Sequence, residues 1–330
     1  MVIFINYLPT IYNMDLTDKR ILCELDLDCR TPLSQLAKKI RVGRNVVEYR
    51  IKKMEQERII QQYISTLNLG LLGYKTYRVY FKINQTKNQK EFVDFILKNK
   101  SILHFLKTEG YFDYTMAIAV KSLKELDDFL MEVRTNFNEV IKECNVSILL
   151  YTKIFNLEKT LLNKERGILK SKRFTAEESI IKIDEKDKKI LKELAQSANV
   201  GIIDLSEKTG LSVDVVKYRL KQLNRSLIIS NRVIVNLNKL GYHHYVIMLK
   251  MAQMTKNDEK RLDFWCLQKK NIIYYGKRIG NFDFELNAVI QDIEEFNNFF
   301  SELKIEFGNI IDSYEIIINS QLLKLNYLPF

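Results

Sequence analysis

Paired cysteines are missing from this 330-residue chain: Cys23, Cys29, Cys144 and Cys266 form no CxxC motif. The three histidines, His104, His243 and His244, are not spaced with them as zinc ligands. Neither a disulfide framework nor a metal centre is indicated, and no cofactor is expected. Cys23 and Cys29 read as small apolar residues on or beside the first helix, and a reducing cytoplasm fits. No apolar run approaches the length of a membrane-spanning helix, so no membrane partner is expected. Residues 1–13 lack the basic start and small-residue cleavage site of a secretory signal. They read as a leader, a short edge strand, or sequence ahead of a true start at Met14.

With 46% apolar and 28% charged residues the chain is globular, and it is long enough for two or more domains with separate cores. Its net charge of +11 favours a polyanionic partner. That charge is concentrated. Between Leu33 and Lys53 stand Lys38, Lys39, Arg41, Arg44, Arg50, Lys52 and Lys53 against the single anion Glu48, a balance of +6.

The same stretch has helical periodicity. Leu33, Leu36, Ala37 and Ile40 share one face of a first helix, Val42 and Gly43 interrupt it, and Val47, Ile51 and Met54 resume it. Two short helices joined by a tight turn, with bases crowded on the second, describe a helix-turn-helix pair. Asp15, with Asp18 three residues on, caps a supporting helix whose inner face is Ile21, Leu22 and Leu25.

Beyond Met54, the β-prone run from Gln62 to Leu67 reads as the wing of a winged helix, giving a first helix-turn-helix unit over 14–66. From 67 to 152 the pattern reads strand, helix, strand, strand, helix, strand. Tyr77, Val79, Phe81 and Ile83 alternate with Arg78, Tyr80 and Lys82 in the first strand, and Val146–Tyr151 forms the last. This βαββαβ order is a ferredoxin-like sandwich with one sheet face free for a partner. Residues 153–182 carry Lys164, Arg166, Lys170, Lys172 and Arg173 and read as a basic, partly helical linker.

Then the plan repeats, with a helix-turn-helix unit over 183–235 and a sandwich over 236–330. Asp15, Asp18, Ile21, Leu22 and Leu25 return as Asp184, Asp187, Ile190, Leu191 and Leu194, and Val47, Tyr49 and Arg50 return as Val216, Tyr218 and Arg219. Leu72-Gly73-Tyr74 returns as Leu240-Gly241-Tyr242, and Gly110-Tyr111-Phe112-Asp113 as Gly280-Asn281-Phe282-Asp283. The fold class is therefore α+β, a tandem repeat of winged helix-turn-helix and ferredoxin-like sandwich.

Asp15-x-x-Asp18-x-x-Ile21-Leu22, Leu36-Ala37-x-x-Ile40, Val47-x-x-Arg50-Ile51-x-x-Met54-Glu55, Leu72-Gly73-Tyr74 and Gly110-x-Phe112-Asp113 occur in the order found in the Lrp/AsnC (feast/famine) regulators. Each repeat resembles one subunit of that family. The resemblance implies a transcription regulator, not an enzyme, with double-stranded DNA as partner and a small effector such as an amino acid. It leaves open whether one chain forms an intramolecular pseudo-dimer or repeats of different chains pair. There are departures. The usual recognition-helix N-cap Ser is Gly43 in repeat 1 and Ser212 in repeat 2, and the usual Gly after that helix is Arg58 and Leu227. Siroheme decarboxylases resemble the same tandem architecture, but Tyr111-Phe112-Asp113-Tyr114-Thr115-Met116 departs from their His-rich pattern; a third reading is a sensor or scaffold that has lost DNA binding.

At the start of the recognition helix Arg44, Asn45, Glu48 and Tyr49 are placed to meet base edges, with Lys38, Lys39, Arg41, Lys52 and Lys53 on phosphates. The second head offers Lys208, Lys217, Tyr218 and Lys221, but between Ile202 and Gln222 the four cations Lys208, Lys217, Arg219 and Lys221 stand against Asp204, Glu207 and Asp214, a balance of only +1. Repeat 1 is therefore expected to dominate DNA affinity. Arg50 reads as a brace to a partner such as Glu24, and Val46, Val47, Ile51 and Met54 as core. Gly110, Asp113, Gly280 and Asp283 read either as an effector-proximal loop, by resemblance, or as tight turns in which Gly takes positive φ and Asp caps the backbone. No catalytic residue is assigned.

Overall fold

The computed structural model describes residues 11–84, 88–163, 172–175 and 179–330. Repeat 1 begins with α1 (Leu16–Leu27), α2 (Leu33–Ile40) and α3 (Arg44–Gln56). It continues with β1 (Ile60–Leu67), β2 (Lys75–Ile83), α4 (Gln89–Lys98), β3 (Ile102–Gly110), β4 (Tyr114–Val120), α5 (Leu123–Asn136) and β5 (Ile141–Ile154). α6 (Glu158–Leu162) and β6 (Lys172–Thr175) come between the repeats. Repeat 2 comprises α7 (Glu185–Gln196), α8 (Ile202–Thr209), α9 (Val213–Ser226) and β7 (Ile228–Val235). β8 (His243–Met251), α10 (Lys256–Gln268), β9 (Ile272–Ile279), β10 (Phe284–Ile290), α11 (Ile293–Phe307) and β11 (Ile311–Leu325) complete it.

Each head closes on the residues that its periodicity selects. Leu36, Ala37, Ile40, Val47, Ile51 and Met54 are buried against Ile21, Leu22 and Leu25 of α1. Asp15 caps α1, its carboxylate accepting the N–H of Asp18 at 2.9 Å, and Asp184 does the same for Asp187 in α7. Ser212 caps α9 through the N–H of Val215, whereas Gly43 opens α3 with no side-chain cap. The exits differ too. Arg58 occupies a left-handed turn, φ 54°, where glycine would sit without strain, and Leu227 keeps φ −116°.

β1 is not half of a wing hairpin. It pairs antiparallel with β7, its counterpart in the other repeat, with Ser65 opposite Asn231. A lone strand leaves a row of backbone donors and acceptors open, and the equivalent strand of the duplicate supplies their partners. The two heads are thereby joined within one chain.

The sandwich sheets are joined more completely. The strands run β2-β4-β3-β11-β8-β10-β9-β5, and β5 pairs back onto β2, so the sheet closes into a barrel. β6 adds to β5 outside that ring. Closure depends on two long strands: β5 pairs first with β2 and then with β9, and β11 first with β8 and then with β3. From the sequence the last strand of repeat 1 ends at Tyr151, too early to show this crossing. The outer faces, with Tyr77, Val79 and Phe81 in one repeat and Ile247 and Leu249 in the other, pack on the helices. The opposite faces turn into the barrel.

The segment read as a linker starts as packed structure. Leu157 and Leu161 are buried against head 1, and the N–H of Leu157 donates to Asp26 Oδ2 at 2.8 Å. Lys172 and Arg173 stand on β6, while Lys164, Arg166 and Lys170 lie outside the described residues.

Two glycines mark where the repeats touch. Gly110, φ 124°, would bring a Cβ to 2.8 Å from the carbonyl oxygen of Ile316 in β11, and Gly280, φ 146°, to 2.9 Å from that of Val146 in β5. Gly210, φ 68°, has open space around the same position. Gly110→Ala is expected to cost about 3 kcal/mol or more in urea unfolding, from strain and overpacking together. Gly210→Ala should cost only the left-handed penalty of about 1–2 kcal/mol. Equal losses would contradict the close inter-repeat approach.

Candidate nucleic-acid interface and barrel cavity

α3 presents a basic face. Lys38, Lys39, Arg41, Arg44, Asn45, Tyr49, Lys52 and Lys53 are exposed, and Glu48 is half-buried among them. Some of that charge is answered at home: Lys39 pairs with Glu24 at 2.6 Å and Lys52 with Glu48 at 2.8 Å. Among the described residues Lys38, Arg41, Arg44 and Lys53 make no ion pair, so they are the cations left for an outside anion. Val46, assigned to the core from its sequence position, is 43% exposed and belongs to this face.

Arg50 is a brace, but not to Glu24. Its Nη1 donates to Asp15 at 2.7 Å and Asp18 at 2.8 Å, tying α3 to the start of α1. Arg219 repeats the arrangement with Asp184 at 2.7 Å and Asp187 at 3.3 Å. The hydrogen bonds it donates to the Asp18 and Asp15 carboxylates raise Arg50 above its ordinary pKa, so it is a fixed structural cation.

The second head exposes Lys208, Lys217, Tyr218 and Lys221. Lys208 lies 3.7 Å from Glu193 and Lys217 3.9 Å from Asp214, so much of its small excess is answered locally.

The motif residues serve the barrel. Asp113 Oδ2 accepts the N–H of Ile83 at 2.8 Å, and Asp283 Oδ2 accepts that of Met251 at 2.8 Å. Between glycine and aspartate, Phe112 and Phe282 turn inward and pack with Tyr80, ring centroids 5.2 and 6.1 Å away. None of Gly110, Asp113, Gly280 and Asp283 lines the cavity described next.

That cavity, about 500 Å³, begins inside the barrel and reaches the junction with the heads at Leu67, Leu69 and Leu237. Its polar lining comes from the inward positions of the strands, the sheet face expected from the sequence to be free for a partner. Glu285 receives Arg78 Nη2 at 2.9 Å, the Tyr80 hydroxyl at 2.9 Å and the Asn287 amide at 3.0 Å. Arg278 Nε lies 2.9 Å from its other oxygen. His104 stacks its ring nitrogens against Arg78 Nη1, the nearer at 2.6 Å, and His244 Nε2 lies 3.0 Å from Asn287 Oδ1.

The cluster is asymmetric although the barrel is duplicated. Six residues beyond Leu72 stands Arg78, opposite Ala117; six beyond Leu240 stands Val246, opposite Asn287. Likewise Tyr80 faces Thr115, and Met248 faces Glu285. At each pair one repeat carries the polar group and the other a smaller or less polar one. This divergence between copies is the signal in the sequence that points to the cavity.

Burial alone would raise the Glu285 carboxyl, but Arg278 and Arg78 hold it well below the usual carboxylate range. Burial pushes both histidines the other way, reinforced by Arg78: His104 falls well below its ordinary value, and His244 to about 4. They are neutral at pH 7, so His104 can accept from Arg78 rather than repel it.

A model of winged helix-turn-helix DNA-binding domains matches residues 14–61 and 183–226, the two heads. An uncharacterised HTH-type transcriptional regulator of Pyrococcus furiosus is 30% identical over 136 residues, 41% of this chain and 91% of that protein. The HTH-type transcriptional regulator FL11 of Pyrococcus abyssi is 27% identical over 119 residues, 36% of this chain and 78% of the other. Among solved structures, the siroheme decarboxylase NirDL superposes with a TM-score of 0.62 at 14% identity, covering 95% of this chain and 94% of that one. AsnC of E. coli gives 0.37 at 21% identity over 42% and 93%. Two matched winged helix-turn-helix heads, one in each repeat, put the chain in the class of helix-turn-helix DNA-binding proteins. With 91% of the Pyrococcus furiosus relative covered at 30% identity, the chain belongs to the HTH-type transcriptional regulators.

The neutral histidines set a pH dependence. Below the ordinary histidine pKa of 6.5 the unfolded chain binds protons that the folded chain refuses until about 4 at His244, so stability falls as pH falls through that window. The slope is about 1.4 kcal/mol per pH unit for each fully refused proton. Urea midpoints across the window should show this loss, and His244→Asn should make it shallower. An unchanged slope would contradict a neutral buried His244.

Proposed function

We propose that the chain is a sequence-reading DNA-binding regulator in which one polypeptide supplies both heads, with head 1 carrying most of the affinity. The observation that carries this reading is the unpaired basic face formed by Lys38, Arg41, Arg44 and Lys53, against a second head in which Lys208 and Lys217 have acidic neighbours. Arg44, Asn45 and Tyr49 stand at the start and outer side of α3, from which such helices meet base edges. Unequal heads suit an asymmetric operator. A small effector, an amino acid among the candidates, fits the family.

A second reading, an enzyme of the siroheme decarboxylase kind, is favoured by the buried arginine and histidine cluster in a barrel that superposes on such an enzyme over nearly the whole chain. Against it stands the basic face of α3, which a tetrapyrrole enzyme does not need.

Binding to a fragment from the protein's own promoter region, compared with unrelated DNA across a salt series, separates them. For 6–10 phosphate contacts, affinity should fall about 10³- to 10⁵-fold between 50 and 200 mM salt. Arg44→Ala with Lys53→Ala should weaken binding and flatten the salt slope more than Lys217→Ala with Lys221→Ala. Equal losses would overturn the dominance of head 1; absent or salt-indifferent binding would overturn the regulator reading.

A further inference from the structure

We propose that the barrel cavity binds one organic monoanion with an apolar or aromatic body, and that Arg232 receives its acid group. The cavity, about 500 Å³, has the size of a small-molecule site. Among the described residues its charged lining is Arg78, Arg232 and Arg278 against Asp26 and Glu285, three cations to two anions with both histidines neutral. One positive charge is left uncompensated in a place where an isolated ion is costly.

The surplus charge sits where two arginines share one carboxylate, and the hydrogen bonds say which donor is left open. Glu285 engages Arg78 and Arg278. Arg232, only 7% exposed, holds Asp26 through Nε at 2.8 Å and through Nη2 at 2.6 Å, and Nη2 also donates to the carbonyl of Phe155 at 3.2 Å. Its Nη1 has no hydrogen-bond partner among the described residues. A buried guanidinium nitrogen without an acceptor is a standing vacancy for an oxyanion. Tyr274 lies near it, its ring centroid 5.9 Å from the guanidinium carbon, and Leu106, Leu322 and Leu325 supply apolar wall.

The same accounting selects the ligand class. A single net positive charge suits a monocarboxylate or monosulfonate; a macrocycle bearing many carboxylates would bring unpaired anions into a low-dielectric space. Because the two repeats supply different groups to the cluster, the cavity is one site and not a symmetric pair. The inference deepens the regulator reading: Asp26 belongs to α1, so an acid group on Arg232 bears on the seat of head 1. Binding itself is measured without DNA, so its failure leaves the regulator reading standing.

The test compares two probes that share an aromatic frame and differ in charge, anilinonaphthalenesulfonate and the neutral N-phenylnaphthylamine, titrated into the full chain by fluorescence and calorimetry. The anion should bind once per chain and about tenfold more tightly than the neutral probe, as expected for a charge-assisted hydrogen bond. Arg232→Gln, with folding checked by near-ultraviolet circular dichroism, should abolish the preference. Gly276→Leu keeps every charge and fills the cavity next to Thr152, so it should weaken both probes; it decides the matter if Arg232→Gln fails to fold. Equal affinity for both probes, anion binding indifferent to both substitutions, or tighter binding of iron uroporphyrin than of the monoanion would each overturn the proposal.

Discussion

Closure of the sheet is the constraint on which the rest of the molecule depends. Each repeat makes an antiparallel sheet whose outer face is apolar and covered by helices, and whose inner face carries Arg78, Tyr80 and His104 or Glu285, Asn287 and His244. A single repeat would leave edges unpaired and that polar face wet. When β5 and β11 cross to the opposite sheet, both edges are satisfied and the inner faces become one interior. Gly110 and Gly280 permit the crossing because no Cβ stands between the strands there.

Closure also turns a duplication into a division of labour. In a symmetric dimer every inward residue occurs twice, and an inward arginine would face a copy of itself. With both copies in one gene the positions are free to differ, so Arg78 and Arg278 converge on a single Glu285. The heads diverge in the same way. Both keep the arginine brace, Arg50 to Asp15 and Asp18, and Arg219 to Asp184 and Asp187, which holds the recognition helix to its support. Only the first keeps a large unanswered basic excess.

The helices, the duplication and the order of strands were legible because they rest on local periodicity and on residues that recur in order. The brace at Arg50 was legible as a role but not as a partner, since Glu24 and the two aspartates lie at comparable reach along the sequence. Val46 shows the limit of an apolar residue as a core signal: it is exposed on α3 next to the fully buried Val47. The barrel was not legible. Arg78 and Tyr80 alternate with apolar residues just as a solvent-facing row does, and nothing local says that the polar side will be enclosed. β5 beyond Tyr151 continues through Thr152 and Lys153, which read as the start of a linker. Partner choice between strands of different repeats is a property of the whole topology, and the cavity inherits that obscurity.

The pairing of β1 with β7 inside one chain tests the pseudo-dimer most directly. Ser65 and Asn231 are opposite each other in that ladder, with Ser65 Oγ donating to Asn231 Oδ1 at 2.7 Å. Replacing both with cysteine and oxidising the folded protein over a range of concentrations reports which strands meet, read on a non-reducing gel. A pseudo-dimer within one chain yields an internally linked monomer at every concentration. Linked pairs of chains, increasing with concentration at the expense of that monomer, would show that the repeats pair between molecules and would contradict the architecture.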